Sequence, residues 1–311
     1  MTWDPRILPS QAGRTIVVTG GSTGIGYWVA EQVARAGARV IIAARHAPKA
    51  AEAMASIRSH VPGADVTHVP FDLTSIAAVR HTAVAIADLG GADVLVNNAG
   101  LVFSPPRRNT TDDGLELLVG GNFVGHFALT ALLFPVLRDR VIGLGSLSTR
   151  MVRLDPDDLM SERRYRPFRA YAFSKHAVHG FAFELDRRLR TAGDARRSLL
   201  AHPGYAVNEL SEKRPEVIID STWWVRVGGH LSAPVGQGKD HGAWPVVRAA
   251  IDPDAESGEF YGPSDRFGLR GTPVVGPAVP SSASPEFGAH LWSLAEEWSG
   301  VEFSLPSSTR G

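Results

Sequence analysis

The chain alternates short apolar segments with longer segments of helical spacing over its first two-thirds, and this alternation limits its possible folds more than any other feature. Six short segments are predicted to be strands or to contain one, and they are TIVVT at 15–19, RVIIAA at 39–44, 65–72, 93–100, 141–145 and 198–201. Helices are predicted between them, including long ones over 112–137 and 169–192. Strands that alternate with helices predict an α/β fold, a doubly wound parallel sheet flanked by helices on both faces.

Composition and charge exclude several classes of function. The chain has 311 residues and 32 Lys and Arg against 32 Asp and Glu, and a formal net charge of zero gives no support to a nucleic-acid partner. Because cysteine is absent, disulfides and thiolate metal sites are excluded. His126, His179 and His202 do not follow the spacing of a metal site, and we interpret them as structural. The sequence predicts neither a signal peptide nor a membrane-spanning helix, so we expect a cytoplasmic protein that does not bind a membrane.

The alternation weakens after residue 204. The stretch 204–245 is rich in Gly and Pro and includes two adjacent tryptophans, and we interpret it as a substrate-loop insertion in a single domain over 1–271. A Ser- and Pro-rich stretch near 272–285 is predicted to be a linker, and a short amphipathic helix is predicted around 289–298. These two parts make up a C-terminal segment over 272–311.

A glycine-rich loop, TGGSTGIG at 19–26, joins the first strand to the first helix. Gly20 would permit a sharp exit from the strand, and Gly24 would let a pyrophosphate approach the start of the helix, while Gly26 would let the helix pack close to the sheet. The spacing is neither G-x-G-x-x-G nor that of a phosphate loop followed by Lys-Ser/Thr. A tight turn alone explains one or two of these glycines but not four, so the loop predicts nucleotide binding by a Rossmann-type sheet. The residues between the glycines are also predicted to contact the cofactor, and they are Ser22, Thr23 and Ile25.

The end of the second strand indicates which dinucleotide binds. In such folds an acidic residue about 20 positions after the glycines binds the ribose 2′-hydroxyl of NAD. The chain has Arg45 instead, and a guanidinium can form charge-assisted hydrogen bonds with a 2′-phosphate. We therefore expect NADP(H), with NAD(H) less favoured, although a solvated strand-end arginine is an alternative interpretation. Asp72 and Leu73 are candidates for contact with the adenine, but Asp72 could almost equally be a turn or capping residue.

Four motifs in this order resemble the short-chain dehydrogenase/reductase family. They are TGGSTGIG, NNAG at 97–100, YAFSK at 171–175 and HPG at 202–204, and the resemblance covers roughly residues 14–210. Three further stretches are similar to the retinol-dehydrogenase-like branch, and they are NFVGHFALTALLFPVL, DDLMSERRYRPFRAYAFSK and GAWPVVRAAIDPDAESGEFYGP. The resemblance implies an NADP(H)-dependent oxidoreductase that interconverts an alcohol and its carbonyl compound.

The resemblance also implies roles for individual residues. Tyr171 corresponds to the general acid/base, and Lys175, one helical turn later, corresponds to the residue that favours the tyrosinate and holds the nicotinamide ribose. Ser146 corresponds to the serine that polarises the substrate carbonyl, and Asn122 to the asparagine that completes a proton relay through water. Further cofactor contacts are implied at Asn98, Ala99, Gly100, Pro203 and Gly204.

The chain departs from the family pattern at two places. The family often has Asn-hydrophobic-Ser-Ser at the end of the fifth strand, whereas Gly143 and Gly145 occupy the first and third of these positions here. The serine assignment therefore rests on Ser146, with Ser148 as an alternative. Asn208 stands where the family often has a threonine that contacts the cofactor amide. Structural roles also remain open, because Tyr171 could be a packed ring and Asn122 a buried amide that satisfies backbone groups.

The residues expected around the substrate are apolar or aromatic, and they are Val102, Phe103, Leu147, Phe168, Tyr205, Trp223 and Trp224. They predict a bulky hydrophobic alcohol, aldehyde or ketone, although the two tryptophans could equally serve in lid or subunit packing.

Relatives often dimerise through their long helices, here those predicted over 112–137 and 169–192, so we expect a homo-oligomer, either a dimer or a tetramer. The alternative function is a nucleotide-binding regulatory or scaffolding module without turnover, which would not need both Tyr171 and Lys175.

Overall fold

The computed structural model describes residues 3–102, 106–214, 217 and 233–305. The strands in these ranges are β1 (Thr15–Thr19), β2 (Arg39–Ala44), β3 (Val66–Pro70), β4 (Ala92–Asn97), β5 (Leu137–Leu144), β6 (Arg197–Ala201), β7 (Ala206–Val207), β8 (Gln237–Gly238), β9 (Phe260–Pro263) and β10 (Pro273–Val275). Eight of them form one sheet in the order β10-β9-β6-β5-β4-β1-β2-β3, and every pairing is parallel except that of β10 with β9. The short strands β7 and β8 pair separately.

The α-helices in the described ranges are α1 (Gly24–Arg35), α2 (Ala47–His60), α3 (Ile76–Asp88), α4 (Leu117–Val119), α5 (His126–Leu133), α6 (Ser148–Met151), α7 (Pro167–Ala192), α8 (Lys239–Gly242), α9 (Trp244–Ile251), α10 (Pro280–Ala283) and α11 (Pro285–Ser299). A π-helical segment, Gly120–Gly125, joins α4 to α5.

The sheet is buried on both faces. Ile16 and Val18 of β1 belong to a core shared with α1, α2 and α9, whereas Val17 between them belongs to a core shared with α3, α5, α7 and α11. This alternation along one strand is what a sheet covered by helices on both sides requires. The predicted doubly wound α/β fold is confirmed.

Sequence patterns locate most of the early elements. TIVVT and RVIIAA coincide with β1 and β2, and Pro70 ends β3 as predicted. Of the two capping candidates before α3, the side chain of Ser75 is the one that accepts from a helix N–H, that of Ala78.

The helix predicted over 112–137 and the strand predicted over 141–145 are both present, but each begins at a different residue from the one predicted. The helical segment begins only at Leu117, because Gly114 adopts a left-handed φ of 80° and the Glu116 carboxylate accepts from the N–H groups of Leu118 and Val119. The strand β5 already begins at Leu137. One segment, Leu117–Val136, is apolar and long enough to cross a membrane by length and composition, but 83% of its most apolar window is buried inside the protein.

The stretch predicted to be a linker over 272–285 instead contains β10 and α10, and the last helix is longer than predicted. Three of the four prolines here stand at the first residues of a strand and of two helices, positions where a missing N–H does not break the pattern. Helix α11 packs against α7 and α5, while β10 extends the main sheet. The proposed division of the chain at residue 271 stays a prediction.

Strand order reverses between β4 and β2, which lie on either side of β1. In parallel sheets the loops that leave the carboxyl ends at such a point form a crevice. The glycine loop follows β1, the NNAG turn follows β4, Ser146 follows β5 and the HPG motif follows β6. The fold therefore brings three of the predicted motifs and Ser146 to one edge of the sheet.

Candidate active site and cofactor cleft

The glycine loop has the backbone shape that its sequence predicts. Gly20 and Gly24 both have left-handed φ values, of 66° and 61°, which other residues adopt at a cost. Gly26 lies against the backbone of Gly20, so a side chain there would separate α1 from the strand end. No acidic residue lies in the first turn of α1, and the side chain of Thr23 makes no capping hydrogen bond. The N–H groups at this helix end are therefore placed for an anion, which fits the pyrophosphate of a dinucleotide.

A buried histidine holds the NNAG turn against β1. The neutral ring of His126 donates from Nδ1 to the Asn122 carbonyl at 3.1 Å, which leaves Nε2 to accept from the Thr19 hydroxyl at 3.0 Å. The Thr19 oxygen in turn accepts from the backbone N–H groups of Asn98 and Ala99, each at 2.9 Å. Burial lowers the pKa of His126 to about 3, so the ring stays neutral. His126 was predicted to be structural, and its contacts hold the NNAG turn against the end of β1 through Thr19.

Asn122 lies in the π-helical segment, where a widened turn moves a side chain off the regular helix path. Its Oδ1 accepts from the Leu101 N–H at 2.7 Å, and its Nδ2 donates to the Leu101 carbonyl and to Ser174 Oγ, each at 3.0 Å. Both amide hydrogens are therefore used within the protein. The sequence predicted this amide to take part in a proton relay, and that role stays a prediction.

Ser146 and Tyr171 face each other at the carboxyl end of β5. Burial raises the pKa of the Tyr171 hydroxyl, and a hydrogen bond with the Ser146 side chain opposes this shift. Ser148, the alternative serine, is buried, and its hydroxyl has no hydrogen-bond partner among the described residues. The geometry therefore favours Ser146 over Ser148.

Lys175 is buried one helical turn after Tyr171. Its Nζ donates to the Leu144 carbonyl at 2.8 Å and lies 5.9 Å from the centre of the Tyr171 ring. Burial lowers the pKa of Lys175 to about 8. Burial raises the Tyr171 pKa, which is the opposite of the direction that a stabilising Lys175 would give.

Gly145, one of the two glycines that depart from the family pattern, gives space to the side chain of His179. A Cβ on Gly145 would lie 2.5 Å from His179 Nε2, which accepts from the backbone N–H of Ser146 at 3.3 Å. His179 thus holds the backbone of Ser146 by a hydrogen bond, a contact that no sequence motif indicated. Among the described residues, no group of three or more His, Cys, Asp or Glu side chains is placed to hold a metal ion.

The residues predicted to contact the adenosine half of the cofactor lie beside β2 and β3. Arg45 follows β2, is exposed, and donates from Nε to His46 Nε2 at 3.2 Å. Asp72 Oδ1 accepts from the backbone N–H and the hydroxyl of Thr74, which is the turn-capping role left open as an alternative. Leu73 is buried. The adenine contact stays a prediction for both Asp72 and Leu73.

The HPG motif is joined to a later loop. Gly204 has a left-handed φ of 66°, and its N–H donates to His202 Nδ1 at 3.2 Å. The Pro203 carbonyl accepts from Gln237 Nε2 at 2.9 Å. Asn208 begins a short 3-10 helix. The motif follows β6 and lies at the same sheet edge as the glycine loop, the NNAG turn and Ser146.

Four of the seven residues predicted to surround the substrate lie among the described residues, and none of the four is fully buried. Val102, Phe168 and Tyr205 are 60%, 52% and 45% exposed, and Leu147 is half-buried. Phe103, Trp223 and Trp224 lie outside the described residues. Two further apolar side chains, those of Met151 and Phe267, are exposed, and no sequence motif indicated them. Lys239 lies in a stretch with no periodic pattern, so no sequence signal indicated it either.

Comparison with known proteins decides the family, because the short chain dehydrogenase model matches residues 14–214. The chain belongs to the short chain dehydrogenase family. It is 38% identical to polyprenol dehydrogenase of Mus musculus over 263 residues, which is 81% of this chain and 76% of that protein. It is 39% identical to retinol dehydrogenase 13 of Homo sapiens over 211 residues, 65% of this chain and 62% of that protein. These relatives place it in the retinol-dehydrogenase-like branch, as the motifs predicted.

Solved structures of similar proteins agree with this assignment. An uncharacterised protein from Mycobacterium paratuberculosis is 35% identical, with a TM-score of 0.80 over 98% of this chain and all of that one. The Pseudomonas aeruginosa RhlG/NADP active-site complex is 28% identical, with a TM-score of 0.61 over 81% of this chain and 94% of that one. As a member of the short chain dehydrogenase family, the protein is an oxidoreductase that uses a nicotinamide cofactor.

Proposed function

We propose that the protein transfers a hydride between NADP(H) and a hydrophobic alcohol or carbonyl compound, with Tyr171 as the general acid/base. The observation that carries the proposal is the pairing of Ser146 with Tyr171, beside the buried Lys175, at the sheet edge that also holds the glycine loop. The nicotinamide cofactor, when bound, supplies or accepts the hydride. The chain's own residues then have to position the substrate oxygen and move one proton.

The three side chains divide this work. The Tyr171 hydroxyl donates its proton to the substrate oxygen in reduction and takes a proton from it in oxidation. The Ser146 hydroxyl holds the same oxygen by a hydrogen bond. The Lys175 ammonium, fixed by the Leu144 carbonyl, supplies positive charge close to Tyr171 when the tyrosinate forms. His179, through the N–H of Ser146, keeps that serine in place.

Arg45 supports NADP(H) over NAD(H). Its guanidinium is exposed directly after β2, and among the described residues no carboxylate is paired with it. Charge-assisted hydrogen bonds to a 2′-phosphate contribute about 1.5–3 kcal/mol each, which is at least about tenfold in affinity. We expect Arg45→Ala to weaken NADPH binding by about that factor and to leave NADH binding unchanged in paired titrations at fixed salt. Equal binding of NADPH and NADH by the unchanged protein would contradict the assignment.

A hydrophobic substrate is supported by the side chains around the cleft. Val102, Phe168 and Tyr205 are exposed and apolar or aromatic, and so are Met151 at the end of α6 and Phe267 in the loop after β9. The similarity to a polyprenol dehydrogenase and to a retinol dehydrogenase supports an apolar alcohol and its carbonyl compound. Kinetic screening is expected to favour bulky apolar alcohols, aldehydes and ketones, and a strong preference for small anionic substrates would contradict this.

The decisive experiment compares the unchanged protein with Tyr171→Phe. We expect NADPH oxidation with at least one carbonyl compound of an apolar panel, and a loss of about 10²–10⁴-fold in kcat for the variant. The variant keeps its ring packing, so its Kd for NADPH and its melting temperature are expected to stay unchanged. Near-full activity of Tyr171→Phe would overturn the mechanism. Tight NADPH binding without turnover on the whole panel would instead favour a nucleotide-binding module.

Location and assembly belong to the same proposal. We propose a cytoplasmic protein that self-associates through α7 and the segment Leu117–Val136. In the single chain α11 packs against α7 and α5, so such an interface would have to form beside or in place of α11. Light scattering at micromolar protein concentration tests the self-association, and a monomeric mass at that concentration would contradict it.

A further inference from the structure

We propose that Lys239 binds the pyrophosphate of the cofactor, so that a residue of the late loop region closes the glycine loop from the opposite side. The inference rests on the proposed function only in requiring a dinucleotide in the cleft. None of the family motifs described above includes this lysine, which follows β8 in a stretch where the sequence has no periodic pattern.

The position of the Lys239 ammonium over the glycine loop is the first observation. Its Nζ lies 3.6 Å from the point that a Cβ on Gly24 would occupy, and its Cδ lies 3.9 Å from the same point. Gly24 is the first residue of α1, so the ammonium faces the N-terminal end of that helix. Because Gly24 has no side chain, nothing from that residue fills the space in front of the ammonium.

The backbone that carries Lys239 is fixed to α1 independently of its side chain. The Asp240 carbonyl accepts from Gln32 Nε2 at 2.9 Å, and the Lys239 N–H donates to Ser211 Oγ at 2.7 Å. Gly242 packs so closely on Ile25 that a Cβ there would lie 3.0 Å from Ile25 Cδ1. The ammonium is thus held near the glycine loop by the packing of α8 on α1.

The charge of Lys239 is unbalanced in this position. The side chain is half-buried, and burial lowers the pKa of its ammonium, with only a smaller opposing effect from Glu209. Among the described residues, no group accepts a hydrogen bond from Nζ or forms an ion pair with it. The end of α1 in front of it carries the positive pole of the helix dipole and has no acidic residue in its first turn. Two positive groups therefore face one space, and an anion between them would remove the repulsion.

A pyrophosphate fits this space in charge and in place. It carries two negative charges, and the glycine loop is where a dinucleotide presents it. One oxygen would accept from the N–H groups at the start of α1 while another accepts from Lys239 Nζ. Since Lys239 follows Gln237–Gly238, which pairs with Ala206–Val207, the bound cofactor would also tie the HPG loop to the glycine loop.

The test uses the full-length protein, three ligands and direct binding. NADPH and NADH both contain the pyrophosphate, whereas adenosine 2′-monophosphate contains only the 2′-phosphate. We expect Lys239→Gln to weaken both dinucleotides by the same factor, about tenfold, and to leave adenosine 2′-monophosphate unchanged in fluorescence or calorimetric titrations. Lys239→Arg keeps the charge and is expected to recover most of the affinity. Lys213→Gln is the matched control, because Lys213 is exposed, and all three affinities should stay the same.

The outcomes separate this inference from the function on which it rests. Unchanged dinucleotide affinity in Lys239→Gln would overturn the inference while leaving the proposed function intact. An equal loss for adenosine 2′-monophosphate would also overturn it, because the effect would then be a general distortion of the cleft. If the unchanged protein bound neither dinucleotide, the proposed cofactor itself would fail. Melting temperatures of the variants without ligand verify folding, and Lys239→Ala provides a second uncharged variant.

Discussion

Single residues behind the reacting groups determine how Ser146 is presented. His179 is fully buried, and burial lowers its pKa well below the ordinary value, so the ring is neutral and its Nε2 can accept from the Ser146 N–H. Its Nδ1 has no partner among the described residues. Gly145 leaves the space that this ring occupies. Gly145 and His179 are therefore matched in size, since the missing side chain of Gly145 leaves room for the ring of His179.

This pairing predicts a non-additive response to substitution. Gly145→Ser places a side chain against His179 and is expected to lower the free energy of unfolding by about 1–3 kcal/mol, with a lower kcat because Ser146 shifts. Adding His179→Val removes the clash, so the double variant should be more stable than Gly145→Ser alone. Denaturant unfolding of the four proteins measures the coupling, expected at about 0.5–3 kcal/mol. Strict additivity of the two changes would contradict the pairing.

At the scale of elements, the last helix completes the core on one face of the sheet. Trp292 of α11 is 3% exposed, and its ring centre lies 5.3 Å from that of Phe127 and 4.8 Å from that of Phe303. The Arg188 guanidinium lies 4.1 Å from the same ring, as a cation–π contact. Helix α11 is therefore packed against α5 and α7 as part of the hydrophobic core.

Truncation of this ring tests the role of α11. Trp292→Ala is expected to lower the free energy of unfolding by about 3–5 kcal/mol, because a large buried ring leaves a cavity. The Kd for NADPH should stay the same, since the cluster lies away from the glycine loop. Trp292→Phe keeps an aromatic ring and should lose much less stability. Unfolding of Trp292→Ala at the same denaturant concentration as the unchanged protein would show that α11 packs only loosely.

Elements with a strong local pattern could be predicted, and elements defined by contacts could not. The apolar runs of β1 and β2 predicted their bounds without tertiary information. The π-helical segment at Gly120–Gly125 has no local signal, because the helical spacing of its side chains continues into α5. The prolines near 272–285 indicated a linker because proline breaks most elements, whereas three of the four stand at the first residue of a strand or helix.

The same division applies to the candidate site. The motifs placed Tyr171, Lys175 and Ser146 together because each is tied to the end of a strand or the start of a helix. Partners that come from distant parts of the chain, such as His179 behind Ser146 and Lys239 over Gly24, could not be predicted. Their contacts depend on how α7 and α8 pack, and no local spacing encodes that packing.

At the scale of the whole molecule, the protein carries several histidines that are buried and neutral. Burial lowers the pKa of His126 to about 3 and that of His202 to about 4, and it also lowers the pKa values of His176 and His179. Histidine in an unfolded chain titrates near about 6.5. As the pH falls below that value, the unfolded state binds protons that the folded state does not, so acid favours unfolding.

Stability is therefore expected to decrease steadily between pH 6.5 and pH 4. Each such histidine contributes up to about 1.4 kcal/mol per pH unit while its folded form stays neutral. Urea unfolding at a series of pH values measures the slope. His176→Gln should lower the change in the free energy of unfolding by up to about 1.4 kcal/mol per pH unit, the contribution of one proton, because one neutral buried ring is removed. A free energy of unfolding that does not change from pH 6.5 to pH 5 would contradict this account.

Gln237 has a consequence for protein engineering. Its backbone N–H donates to the Tyr205 carbonyl, its Nε2 donates to the Pro203 carbonyl, and its Oε1 accepts from the Gly271 N–H. Two loops that follow different strands, β6 and β9, thus meet on one amide side chain. Substrate preference could be exchanged between relatives by grafting these loops only if both, with the glutamine, are moved together. A graft of one loop alone would leave buried hydrogen-bonding groups without partners and would fail by misfolding before its selectivity could be measured.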